Sequence, residues 1–174
     1  MPMNRWFTWV TLAALAAVAA DLGAARAAPR YDDPARYCAA VRNIDKPDER
    51  YTGPAVPDWV AHALKRATGA PESASLNLFR HAAWRCMDGH VLACSVGANI
   101  PCWSKADVRR APSPATRSYC GENPDSDVVP AVVTGHETVF EWRCRGGKPV
   151  IVRQVLAVDA RGYQKDFWYR VAKE

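Results

Sequence analysis

The sequence predicts an α+β fold: antiparallel β-hairpins and a C-terminal three-strand meander, with one main covering helix and a disulfide-stapled, partly helical insert. One amphipathic segment has helical spacing, two stretches alternate with a period near two around glycine turns, and six cysteines are spread along the chain. At 174 residues, 49% hydrophobic and 24% charged, the chain has apolar material for one domain. That composition fits neither a fibre nor a disordered polymer.

Residues 1–27 read as a secretory signal peptide. Arg5 precedes an apolar run over 6–20, and Ala25-Arg26-Ala27 is a small-x-small cleavage pattern. The run is shorter than the roughly 20 residues that cross a bilayer. Cleavage after Ala27 removes 27 of 174 residues and leaves a single secreted domain of 147, residues 28–174. Losing Arg5, Arg26 and Asp21 takes the net charge from +5 to +4. The expected location is the periplasm or the medium, with no transmembrane segment after cleavage.

Cys38, Cys86, Cys94, Cys102, Cys120 and Cys144 all lie in the mature chain, and an even number in an exported protein implies up to three disulfides, with their connectivity open. Zinc is the weaker alternative, because no two cysteines form a tight C-x₂₋₄-C knuckle. No cofactor and no metal is indicated.

The elements follow in order. Residues 28–56 are polar and without sustained periodicity, and are expected as an extended N-terminal arm fastened by Cys38. A helix is expected over 58–68, where Val60, Ala63, Leu64 and Ala67 recur at helical spacing between Pro57-Asp58 and Gly69. Residues 75–86 alternate as a strand, with Trp84 and Cys86 inward and Arg85 outward, and 90–96 returns. A three-residue loop ending in a left-handed Gly89 would pair Trp84 with Leu92. Residues 97–133 form a cysteine-containing insert, with a short helix from Ser104 to about Arg109 and another from Ser113-Pro114 through Cys120. A second hairpin runs over 138–144 and 148–158 around Arg145-Gly146-Gly147, and a three-residue loop would pair Trp142 with Val150. Phe167, Tyr169 and Val171 then complete the meander, with Trp168 and Arg170 outward.

Catalytic patterns are sparse. The four histidines form no H-E-x-x-H motif, and no nucleophile elbow or phosphate-cradling glycine loop is present. His136 beside Glu137 is the nearest approach to an acid–base pair, and the two share a site only if Gly135 makes a turn. The basic groups are more suggestive. Arg109, Arg110 and Arg117 lie close to Trp103 and Tyr119, and Arg85 and Arg143 hold equivalent positions in two Trp-Arg-Cys strands. Such a surface suits an acidic protein, an acidic glycan or anionic envelope lipid. Export argues against nucleic acid. The leading expectation is a noncatalytic exported binding protein for an envelope macromolecule or anionic surface component. The alternatives are a small secreted hydrolase using His136 or a carboxylate, and a structural envelope protein.

Overall fold

The computed structural model describes residues 28–97 and 99–173. The expected signal peptide, 1–27, lies outside the described residues. The chain is α+β, with two antiparallel sheets, four α-helices and three disulfides among the described residues.

The segment expected as an extended arm carries a helix, α1 (Pro34–Val41). The Asp33 carboxylate accepts the Ala35 amide at 2.8 Å, and Pro34 supplies a preset first helical position. Only Pro34, Tyr37 and Cys38 are buried, so the apolar stripe is too short to stand out as a period. Helix α2 (Asp58–Ala67) is where its spacing placed it and buries Val60, Ala61, Ala63 and Leu64. Asp58 in its first turn and Lys65 and Arg66 in its last complement the helix dipole.

Residues 75–82 are not a strand. Ser75 caps a single 3₁₀ turn, Leu76–Leu78, and β1 (Ala83–Met87) starts only after it. Leu78 is exposed while Phe79 enters the core, the reverse of the strand alternation. Strand β2 (His90–Cys94) returns from a two-residue turn, Met87 facing His90, which corrects the three-residue loop. Asp88 and Gly89 take φ of 54° and 83°, the left-handed pair that matches the twist of a tight hairpin. Trp84 therefore faces Ala93 and Arg85 faces Leu92.

The second hairpin, β3 (Phe140–Arg145) and β4 (Lys148–Gln154), also turns through two residues, Gly146 and Gly147. Arg143 faces Val150 and Trp142 faces Ile151, and an irregularity then shifts Glu141 to Arg153 and Phe140 to Gln154. Strand β5 (Tyr169–Val171) pairs with β2, not with β4. The sheets are accordingly β1-β2-β5 and β3-β4, and the expected C-terminal meander is divided between them. The preceding segment makes the crossing, with Tyr163, Gln164 and Trp168 buried, so Trp168 points inward.

Helix α3 (Pro114–Glu122) forms on the predicted Ser113 cap, whose hydroxyl accepts the Thr116 amide at 3.0 Å. A four-residue helix, α4 (Ala131–Thr134), follows Pro130. The helix expected from Ser104 to Arg109 is absent. Asp107 is instead drawn into a parallel bridge with Thr138, its amide donating to the Glu137 carbonyl and its carbonyl accepting from the Val139 amide.

Three apolar clusters fill the interior, and each holds one disulfide. Cys38–Cys86 joins α1 to β1 beside Tyr37, Leu64 and Trp84; Cys94–Cys102 lies with Leu92, Tyr163 and Trp168; Cys120–Cys144 joins α3 to β3 beside Val139 and Trp142. Strand β1 separates the first two clusters and is buried on both faces, with Ala83 and Arg85 turned to the second.

Candidate functional site

The segment between α1 and α2 closes over β1 because Trp84 holds it there. The Trp84 indole donates to the Ala55 carbonyl at 2.6 Å, and the Tyr51 ring stands edge-on to it at 4.9 Å. Tyr51 in turn packs edge-on to Tyr37 and donates its hydroxyl to the Pro54 carbonyl at 2.9 Å. Burial, with the Asp33 and Asp32 carboxylates adding to it, pushes the Tyr51 phenol up to about 12. Gly53 makes this packing sterically feasible, since a Cβ there would overlap the Asp32 carbonyl and the Tyr51 hydroxyl.

Between this wall and the start of the insert lies an open groove of about 560 Å³. Tyr51 and Trp84 line it from one side, Arg80 and His81 from the end of the 3₁₀ segment, and Trp103 from the insert. Trp103 follows buried Cys102 yet is itself 50% exposed. The Lys46 ammonium sits over the Trp103 ring at 5.0 Å. His81 contacts the Asn77 carbonyl at 3.0 Å through Nδ1, and Arg80 pairs with Asp58 at 3.1 Å. No carboxylate is among the residues that line the groove. Such a surface combines aromatic faces with a cationic rim, which suits an anionic ligand with apolar faces.

The other residues singled out in the sequence are distributed. Arg109 pairs with Asp107 at 2.7 Å, the Arg110 guanidinium lies over Phe140 at 5.1 Å, and Arg117 donates to the Pro112 carbonyl. Arg109 and Pro112 border a polar cleft of about 270 Å³ beside Ser113, Thr116, Thr138 and Trp142. Trp103 lines the aromatic groove and not this cleft. Tyr119 is half-buried, its hydroxyl 3.4 Å from that of Ser126.

Arg85 is not on the surface, as expected from alternation, but fully buried. Its guanidinium ion-pairs with Asp159 and lies over the rings of both Tyr163 and Trp168, which pack edge-on to each other. Arg143 is half-buried, and its Nε has no partner among the described residues. The two arginines do not form one outward basic surface. His136 is exposed, and among the described residues its imidazole forms no hydrogen bond or ion pair; Glu137 borders a separate shallow cleft with Lys105 and Arg109.

Sequence reasoning picked Trp103 but missed Tyr51, Trp84 and Lys46 as its neighbours. Their signal is compositional, two aromatic side chains and a lysine spread over 46–84, and carries no spacing that joins them. Compared with protein-family models, with curated proteins and with solved structures, the chain matches none.

Proposed function

We propose that the chain is a noncatalytic, exported binding module that holds an envelope macromolecule in the groove between Tyr51, Trp84 and Trp103. The observation that carries this reading is the half-exposed Trp103 facing an aromatic wall with a cationic rim. Large aromatic side chains are costly to leave in water, and an exposed ring such as Trp103 at the edge of a concavity is characteristic of a recognition surface. Three buried disulfides fit an oxidising compartment, and no helix among the described residues is long and apolar enough to cross a membrane. The hydrolase alternative has less support, because among the described residues His136 has no partner that would orient or activate it.

Hydrogen exchange of the mature chain with and without solubilised envelope fractions tests the reading. Slowed exchange over 47–56 and around Trp103, abolished by Trp103→Ala, is the expected result. Unchanged exchange of both segments with every fraction would count decisively against it.

A further inference from the structure

Resting on that reading, we infer that the groove takes a glycan strand carrying carboxylate groups, with sugar rings stacked on Trp103 and carboxylates drawn to Lys46 and Arg80. The aromatic faces set the first requirement. An indole ring presents a negative π-face, and the ligand surface that complements it is a flat array of polarised C–H bonds, as a pyranose ring offers. The volume of about 560 Å³ lies within the range of ligand-binding sites.

Charge sets the second requirement. Lys46 is exposed, and its ammonium has the Trp103 face as its partner and no carboxylate among the described residues. The Arg80–Asp58 pair is exposed on both sides, 47% and 69%, and a pair of that kind holds its partners only weakly. A ligand carboxylate can therefore recruit both cations without displacing a buried contact.

The backbone argues against the competing occupant, an acidic peptide. One way an extended peptide is held is by main-chain hydrogen bonds to an open strand edge. At Cys86 the outer edge of β1 is already occupied by Ile44, whose amide donates to the Cys86 carbonyl at 3.2 Å and whose carbonyl accepts the Cys86 amide at 3.0 Å. The Trp84 indole N–H is committed to Ala55. The ring face of Trp103 and the positive charge of Lys46 and Arg80 suit a sugar acid.

The probes are oligogalacturonate, its methyl ester, poly-glutamate and phosphatidylglycerol vesicles, each titrated against the mature chain with tryptophan fluorescence and calorimetry. Oligogalacturonate is expected to bind, and the neutral ester, which keeps the rings and loses the charge, to bind about tenfold more weakly. Trp103→Ala should weaken oligogalacturonate about tenfold and Lys46→Gln about threefold, while Arg153→Gln, which removes a charge on β4, should leave it unchanged. Melting temperatures of all three variants check that they remain folded, and Lys46→Gln tests the site independently if Trp103→Ala does not. Equal binding of acid and ester, or binding of poly-glutamate or vesicles in preference to the sugar acid, overturns the glycan inference. If the groove is protected by an envelope fraction but ignores oligogalacturonate, the glycan inference fails while the binding reading survives. If no fraction and no probe touches the groove, both fail.

Discussion

Arg85 and Asp159 form an ion pair in the interior, with side chains 0% and 4% exposed. The arrangement is built on both sides. The Tyr163 and Trp168 rings lie 4.5 and 4.4 Å from the Arg85 guanidinium, and the second Asp159 oxygen accepts the Arg161 and Tyr163 amides at 2.8 and 3.1 Å. The pair ties β1 to the segment that carries the chain from the second sheet back to the first. Removing one partner leaves a buried charge without compensation, so Arg85→Ala or Asp159→Asn should each destabilise the fold by about 3–5 kcal/mol in urea titration. The double variant Arg85→Met/Asp159→Leu should lose clearly less than the sum. Single variants within about 0.5 kcal/mol of the parent would show that the pair is dispensable.

The three disulfides close loops of different length, with separations of 48, 24 and 8 residues. Constraint of the unfolded chain grows with loop length, about 4, 3.5 and 2.5 kcal/mol in that order. Replacing each pair by alanine should therefore rank the unfolding midpoints, with Cys38→Ala/Cys86→Ala the least stable and Cys94→Ala/Cys102→Ala the most. A reversed order would show that native packing around the bridges outweighs chain entropy.

Gly53→Ala probes the groove wall. The added methyl must displace both the Asp32 carbonyl and the Tyr51 hydroxyl, and the cost of such overpacking is about 1–3 kcal/mol. Tyr51 packs against Trp84, so the near-ultraviolet circular dichroism of the aromatic cluster should change along with the melting temperature. An unaltered aromatic spectrum would mean that the wall accommodates the methyl without moving.

Acid should weaken the fold through its paired carboxylates. Hydrogen bonds from the Arg50 guanidinium hold Asp48 at about 2, below its ordinary 3.8. Burial pushes Asp45 upward, but Lys105 and Arg161 overcome it and the net shift is downward. A carboxylate with a depressed folded value stabilises the fold above its unfolded value, and that contribution disappears as pH falls through the folded one. The melting temperature is expected to drop between about pH 4 and 2, and Asp48→Asn should flatten that drop. The same slope in the variant would assign the acid sensitivity to other groups.

Trp103→Ala is expected to leave stability within about 0.5 kcal/mol of the parent, since the ring is half-exposed and lies outside the three clusters. Urea titration measures this directly. A loss of several kcal/mol would make Trp103 a packing residue and remove the reason for an exposed aromatic at the groove.

The short-range features were legible because they are decided within a few residues. Helix α2 follows from its apolar spacing, α3 from the Ser113 cap, and the two hairpins from alternation broken at glycine. The even cysteine count anticipated a fully paired set, though not the pairing. In the first hairpin, matching large side chains across the strands presumes one buried face, while β1 has two; in the second, Gly146 and Gly147 both take positive φ and close the strands in two residues.

The matched triplets make the division between sequence and tertiary structure concrete. Trp84-Arg85-Cys86 and Trp142-Arg143-Cys144 are the same three residues at the same distance from a turn, yet Arg85 is fully buried and Arg143 only half-buried. By itself the sequence determined that a strand meets a glycine turn in both places, but not the length of the turn. Only the tertiary structure decided which side is interior, because β1 has a cluster on each face while β3 packs on one. The groove belongs to the same category. Tyr51, Trp84 and Trp103 come together through non-local packing and through the short loop after β2 that Cys94–Cys102 closes, and no periodicity along the chain encodes a meeting of that kind.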